Sequence, residues 1–550
     1  MKFFSKFDFT VRIGASTLTL LSAVFLAAAY NTRFWHSFAE AIGVAGGGRV
    51  PLLVGSFLII ALLFNACLTL ASFRHILKPV LVLLFVVSAV TSYFMNAYGT
   101  AIDRSMVQNM IETDPREVFE LLSWQLLFTV ALLGLLPSLL LTRIDVVFSP
   151  GLRGLLRRGG VGALSLALVL ALLVIFFKSL APTLREHREL RYLLAPTNYI
   201  QAVHAYTKHL HAQSIVVAPL GTDAFKGRSW SGNHHRSVTL IVVGETARAA
   251  NFSLNGYARQ TNPELSRQVG LLNFTDVQSC GTATAVSVPC LFSVLGRDGY
   301  SDDKASSQQG LLDVLSHAGF QVLWRDNNSG CKGACDRVAF EDLSKPEKGN
   351  RWCVDDECYD ERLLDRLPQI IHDARDDMVV VLHQKGSHGP AYFKRYPAQY
   401  KRFGPVCETN ELEQCSRESI VAAYDNSILY TDHFLNSAVE LLKSSVQTDG
   451  VNAAMLYFSD HGESLGEHNL YLHGAPYIVA PIEQRAVPFM LWLSEGFRSR
   501  FQIDQTCLAA RTGQSFSHDN VFHSVLGMLG VNTAVYNPRL DILAPCIHDA

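Results

Sequence analysis

Several short apolar segments of this chain are followed at once by groups that can hold a divalent cation. VTLIVVG is followed by Glu245 and Thr246, and MVVVL by His383 and then His388 within QKGSHGP. AAMLYFS is followed by Asp460, His461, Gly462 and Glu463, with His473 downstream in YLHGAP. A single histidine in such a place is usually a satisfied structural residue. Carboxylates and imidazoles delivered by three segments in the same way read together as a metal site. Mixed oxygen and nitrogen donors with no thiolate to spare suit zinc best and manganese next, whereas magnesium prefers oxygen and water. One zinc ion is expected, and His383, His388 and His473 supply donors enough for a second.

A second feature is SCGTATAVSVPC at 279–290, a polar run closed at each end by cysteine. It offers four hydroxyls, on Ser279, Thr282, Thr284 and Ser287, and no acid, base or histidine. A free hydroxyl is a poor nucleophile at neutral pH, but one held beside a divalent cation loses its proton more readily. The two cysteines, if joined, clamp the loop that presents it. Residue types alone do not choose among the four.

These groups need a frame. From 236 onward, β-branched runs alternate with helix-like segments: VTLIVV at 238–243, FQVLWR at 320–325, MVVVLH at 378–383 and AAMLYFS at 453–459. Near-continuous apolar strands separated by helices predict a mainly parallel sheet covered on both faces. In such sheets ligands gather beyond the carboxyl ends of the strands, where the candidate donors fall.

The N-terminal third differs. Apolar runs fall at about 13–30, 50–72, 79–98, 121–142 and 161–181, each near the ~20 residues that a helix needs to cross a bilayer. Five transmembrane helices are therefore expected within 1–181, followed by a connector at 182–235 and a catalytic domain at 236–550. Lys2, Lys6, Arg12, Arg74, Lys78, Arg143, Arg153, Arg157 and Arg158 lie on one side of these spans. The opposite loops hold only Arg33, Arg49, Arg104 and Arg116. Positive charge stays inside, so the N-terminus is expected in the cytoplasm and everything past 181 outside. The connector carries NYIQAVHAYTKHLHAQ, which can lie as an amphipathic helix on the membrane surface or serve as an ordinary linker helix. Net charge is −2, which gives no basic excess for binding nucleic acid.

Of 11 cysteines, only Cys67 falls within a span. The other ten lie in the exported part, and an even number in an oxidising compartment points to disulfides. Close spacing suggests Cys280/Cys290, Cys331/Cys335, Cys353/Cys358 and Cys407/Cys415, which leaves Cys507 and Cys546.

Five motifs, IVVGETARAANFSLNGYARQTNP, SCGTATAVSVPCLFS, DNNSGCKGACDR, VLHQKGSHGPAYFKRYP and YFSDHGESLGEHNLYLHGAP, together resemble the lipid A phosphoethanolamine transferases. These belong to the alkaline phosphatase and sulfatase superfamily, with the mobile colistin-resistance enzymes as close relatives. The resemblance runs over essentially the whole chain and implies an alkaline-phosphatase-like α/β periplasmic domain on an α-helical membrane domain. It implies zinc ligation by Glu245, Asp460 and His461, with Thr284 as nucleophile and fourth ligand. His388 and His473 match residues near the phosphoryl group or a second zinc, and Asn328 and Lys332 match residues that hold the transferred group. Asn109, Thr113 and Glu117, four apart in the outer loop before the fourth span, match polar residues placed near lipid substrate. Pro115 between them weakens a single helical face.

The expected activity is transfer of phosphoethanolamine from phosphatidylethanolamine to a lipid A phosphate at the bacterial inner membrane. A covalent phosphoethanolamine–threonine intermediate is expected, with the chain acting as a monomer. Its outcome would be lower negative surface charge and resistance to polymyxin and other cationic peptides. A related transferase using lipopolysaccharide core, glycan or protein as acceptor is the nearest alternative. A non-catalytic envelope sensor is the more distant one.

Overall fold

A computed structural model describes residues 11–43, 49–112, 121–211, 216–231, 235–347, 349–354 and 357–548. The chain divides into two compact units, 1–107 with 122–205, and 108–121 with 206–550.

The first unit is helical. Helices Val50–Leu70, Leu77–Ala97, Trp124–Thr142 and Gly151–Phe177 are each long and apolar enough to cross a membrane. Ala15–Ala29 and Thr32–Ala41 form a pair bent by 66° that supplies a fifth crossing if taken as one span. The bend falls at Asn31, whose side chain serves three main-chain groups. Its Nδ2 donates to the Leu26 and Ala195 carbonyls at 2.8 and 2.9 Å, and its Oδ1 accepts from the Ala195 amide at 2.8 Å. Groups freed by the break are thereby satisfied where no water would reach them. The fourth span contains a π-helical turn, Val130–Leu135. Tyr30 donates to the Leu133 carbonyl inside it. At Gly134 a Cβ would stand 3.2 Å from the Val86 Cα, so glycine there lets two helices approach closely. The last helix starts at Gly151, about ten residues before the expected boundary, and runs 36 residues to Glu186. Its Ser165 accepts from Asn65 of Val50–Leu70 at 3.0 Å.

The second unit is built on a seven-stranded sheet. In chain order the strands are β1 Ser237–Gly244, β2 Leu272–Phe274, β3 Gln321–Asp326, β4 Ala339–Asp342, β5 Met378–His383, β6 Asn452–Ser459 and β7 Phe489–Leu493. Their order across the sheet is β2-β7-β6-β1-β5-β3-β4. From β6 to β4 all pairings are parallel, while β7 runs antiparallel to both neighbours. Every residue of β1, β5 and β6 is buried, so these strands carry apolar side chains on both faces rather than alternating. One face packs on a core that includes Ile241, Val243, Val379, Val381, Leu456 and Phe458.

The helix Arg417–Asp449 starts at Ser416, which accepts from the Ser419 amide, and stops at left-handed Gly450. Its buried Tyr424 reaches the site. The hydroxyl donates to the Thr246 carbonyl at 2.7 Å and accepts from the Arg248 amide at 2.9 Å. Thr246 has φ +58°, a region that costs a non-glycine residue, and these two bonds hold it there. Five disulfides join Cys280–Cys290, Cys331–Cys335, Cys353–Cys358, Cys407–Cys415 and Cys507–Cys546.

Candidate active site

The parallel register sets β1, β5 and β6 side by side, with Gly244 opposite Ser459 and Val243 opposite His383. Glu245 and Asp460 therefore leave neighbouring strand ends together. Glu245, Asp460 and His461 are all fully buried, and each offers one donor atom within 4.8 Å of the others. His461 Nε2 stands 3.5 Å from Glu245 Oε1 and 3.4 Å from Asp460 Oδ2.

The imidazole is fixed from behind. His461 Nδ1 lies 2.8 Å from the Gly462 carbonyl, which can only accept, so Nδ1 carries the hydrogen. Nε2 then turns its lone pair toward two carboxylates, an arrangement that repels unless a cation stands between them. Asp460 Oδ2 has no hydrogen-bond partner among the described residues although it is buried. Burial pushes Glu245 up, with the Asp460 charge adding to it, and raises Asp460 to about 6. Burial also lowers His461 to about 4, with His473 adding to the effect. A neutral imidazole and two carboxylates that resist ionisation are what a bound divalent cation would stabilise. The donor set fits zinc.

The four hydroxyls of 279–290 now separate. Ser279 donates to the Gly281 carbonyl, Thr282 to Ala475 and Ser287 to Asp460. Thr284 alone among them faces the donor cluster. Its Oγ1 is 3.1 Å from Glu245 Oε2, 3.3 Å from Oε1 and 3.4 Å from His461 Nε2. Thr284 is the first residue of the helix Thr284–Leu291, whose N-terminal end favours negative charge. The Cys280–Cys290 bridge, with Cα atoms 6.2 Å apart, ties the loop to this helix. His518 adds a second tie that sequence reasoning missed. Its Nδ1 accepts from the Cys280 amide at 3.2 Å, and its Nε2 donates to the Ser459 carbonyl at 3.0 Å.

Asn328 Nδ2 donates to Glu245 Oε2 at 2.8 Å and to the Gln384 carbonyl at 2.9 Å. Its amide is thus committed to the carboxylate. His383 is buried at the end of β5, with Nδ1 2.9 Å from Asp326 Oδ2. Burial lowers its pKa, but Asp326 outweighs burial and the net shift is upward. Asp326 was not among the expected site residues, yet it ends β3 just as Asp460 follows β6, so the same strand-end reading could have found it. The loop after β5 lies directly on β1. Ser387 donates from its amide to the Glu245 carbonyl at 3.0 Å, and a Cβ on Gly386 (φ +56°) would come within 2.5 Å of that oxygen. Asp360 secures the loop by accepting from the Lys385 and Gly386 amides at 2.8 and 3.0 Å.

On the other flank, the His473 ring centroid is 4.4 Å from that of His461 and 5.3 Å from that of His388. His473 Nδ1 is 3.2 Å from Glu463 Oε2. Glu463 is fully buried, and burial pushes its pKa well above the usual carboxylate range. Lys332 does not join the donor cluster. Its Nζ donates to the Ser329 carbonyl at 3.1 Å, and it lines a cavity of about 390 Å³ alongside Ala285 and Pro289 of the Thr284 helix. Asn109 belongs to the second unit, with Nδ2 3.9 Å from where a Cβ on Gly474 would sit. Thr113 and Glu117 lie outside the described residues.

The strand-end cluster, the hydroxyl at a helix start and the mainly parallel sheet define a sulfatase-type domain, and residues 237–531 match the sulfatase family model. Residues 60–210 match the family model described as phosphoethanolamine transferase EptA/EptB. The chain is 40% identical over 529 residues to phosphoethanolamine transferase EptA of Escherichia coli K12, covering 96% of each. It is 41% identical over 482 residues to phosphatidylethanolamine transferase Mcr-1 of Escherichia coli, covering 86% of this chain and 88% of that one. Its fold matches the integral membrane lipooligosaccharide phosphoethanolamine transferase A of Neisseria meningitidis with a TM-score of 0.93. That match has 33% identity and covers 98% and 100% of the two chains. The chain belongs to the EptA family of phosphoethanolamine transferases.

Proposed function

We propose that this chain moves phosphoethanolamine from phosphatidylethanolamine to a phosphate of lipid A, with Thr284 as the acceptor in the first step. The observation that carries this reading is the Thr284 hydroxyl set 3.1 to 3.4 Å from Glu245 and His461 at a helix start. Glu245, Asp460 and His461 would hold a zinc ion. Bound zinc would act as a Lewis acid toward the phosphoryl oxygens and lower the pKa of the Thr284 hydroxyl.

Thr284 Oγ1 attacks the phosphorus of the donor, and the bond from phosphorus to the diacylglycerol oxygen breaks. The leaving alcohol takes up the proton that the threonine gives away, leaving a phosphoethanolamine ester on Thr284. An oxygen of the lipid A phosphate then attacks the same phosphorus, and the bond to Oγ1 breaks. Thr284 regains its proton, and the product is a diphosphate ester. The helix start favours the negative charge that builds at Oγ1. His388 and His473 would exchange protons or hydrogen bonds with the phosphoryl group, with Glu463 3.2 Å from His473 Nδ1 to orient it. Lys332, in the cavity wall beside the same helix, offers a cation to the headgroup phosphate. Asn328 acts by fixing Glu245, and Asn109, Thr113 and Glu117 would contribute to binding the lipid substrate.

In this reading the chain lies in the inner membrane with its N-terminus in the cytoplasm and its catalytic unit in the periplasm. The distribution of Arg and Lys among the loops supports that placement. Mass spectrometry of lipid A from cells with and without the chain tests the reading. The expected result is a lipid A species heavier by one phosphoethanolamine group, absent with Thr284→Ala. If the added mass appeared on core sugar, glycan or protein, the acceptor would be reassigned and the transfer chemistry kept.

A further inference from the structure

The first unit contains a concave site far in sequence from the catalytic residues, between the turn after the second span and the start of the last helix. It encloses about 190 Å³ and is lined by Ser16, Ser72, Arg74, Ser149, Arg157 and Arg158. Three guanidinium groups therefore share one small pocket, and among the described residues no carboxylate pairs with any of them. Arg158 is already placed. It donates from Nη1 to the Ser72 carbonyl at 3.1 Å and from Nε to the Gly154 carbonyl at 3.2 Å, with its guanidinium 4.4 Å from the Phe73 ring centroid.

Two independent features suggest that this pocket is built for an anion. The first is Ser72, which lines it, is 1% exposed, and has an Oγ with no hydrogen-bond partner among the described residues. A buried hydroxyl left without a partner costs free energy unless a ligand meets it. The second is the start of the 36-residue helix at Gly151, which has no side-chain cap. Gly154 of its first turn lines the same pocket and spends its own amide on the Pro150 carbonyl at 3.3 Å, so the helix start contributes its positive dipole end rather than a free donor. Glycine is needed there, because a Cβ on Gly154 would stand 1.9 Å from the Ser149 carbonyl oxygen. Helix start, arginines and hydroxyl thus converge on one volume.

We propose that this pocket binds the phosphate group of an anionic phospholipid headgroup. The three guanidiniums and the Ser72 hydroxyl offer donors to several phosphate oxygens at once, beside the positive end of the helix. The exposed leucines beside it, Leu152, Leu155 and Leu156, suit the acyl chains that come with such a headgroup. Assignment to the cytoplasmic leaflet rests on the topology proposed above; the pocket itself does not.

Native mass spectrometry of the full chain in detergent tests this, with phosphatidylglycerol, phosphatidylcholine and inorganic phosphate as separate probes. Phosphatidylglycerol should be retained in preference to phosphatidylcholine. That preference should fall roughly fivefold for each of Arg74→Gln and Arg157→Gln. Arg153→Gln changes the same loop charge outside the pocket and should leave it unaltered. If inorganic phosphate is retained by the parent chain but not by the variant carrying both Arg74→Gln and Arg157→Gln, and phosphatidylglycerol is not retained, the pocket stands and its ligand is a soluble phosphate. Equal losses for Arg153→Gln and Arg157→Gln, or no difference between parent and double variant with any probe, would overturn the site. Lipid A modification by the variants serves as the check that they fold.

Discussion

The two flanks of the candidate site are built by different means. On one side Glu245, Asp460 and His461 emerge from adjacent parallel strands, fully buried. Main-chain groups, Asn328 and Thr246 hold them from behind. On the other side His388 and His473 stand on loops, and Lys332 lines an open cavity. Groups locked at strand ends keep one geometry and suit a resident ion. Groups on loops can follow a phosphoryl group that arrives on one lipid and leaves on another. The difference divides holding from handling.

That division can be broken by mutation. Thr284→Ala should abolish transfer, with a loss of at least ~10⁴-fold in single-turnover rate. Zinc content measured by elemental analysis should remain near one per chain. Loss of the metal along with the activity would mean that Thr284 belongs to the holding flank as a required ligand.

Asp460→Asn should lower zinc content of the purified chain to a small fraction of its parent value and remove activity with it. Asn328→Ala leaves all three donors in place and should weaken zinc by about 10- to 100-fold in a chelator competition, through loss of its bond to Glu245. His388→Ala and His473→Gln should retain zinc and slow transfer instead. If either loop variant lost zinc as readily as Asn328→Ala, the two flanks would be one site.

A pH titration sharpens the same contrast with a smaller effect. Asp460 is raised to about 6 in the metal-free protein, whereas His461 is lowered to about 4 and stays neutral above that. Burial raises Glu245 as well, so protons compete with zinc at the two carboxylates before they reach the imidazole. Zinc affinity should fall as pH drops through about 6, by up to tenfold per pH unit for each carboxylate that takes up a proton. A midpoint near 4 would assign the competition to His461.

Much of this arrangement was legible in the residues. The four apolar runs chosen as strands became β1, β3, β5 and β6 within a residue or so, because burial on both faces of β1, β5 and β6 leaves an unbroken apolar signal and β3 is buried over most of its length. Three strands escaped. β2 has three residues, β4 is mostly exposed and carries Glu341 and Asp342, and β7 enters antiparallel without a donor group at its end. The hydroxyl could not be chosen from residue types, since what separates them is that Thr282 meets a main-chain carbonyl and Thr284 a carboxylate and an imidazole. The clamps formed by His518 and Asp360 depend on pairs far apart in sequence and left no local mark. Hydropathy located the membrane helices, but the bend at Asn31 and the π-helical turn follow from tertiary hydrogen bonds and close packing.

The helix Gly151–Glu186 carries a consequence for the lipid around it. At 1.5 Å per residue its 36 residues extend about 54 Å, against roughly 30 Å of hydrocarbon. Its outward apolar side chains are densest from Leu164 to Phe177, while Arg153, Arg157 and Arg158 stand near its start. Those arginines hold the start of the rod at one surface, so a bilayer that thins or thickens by several ångströms is met at the far end or by a change of tilt.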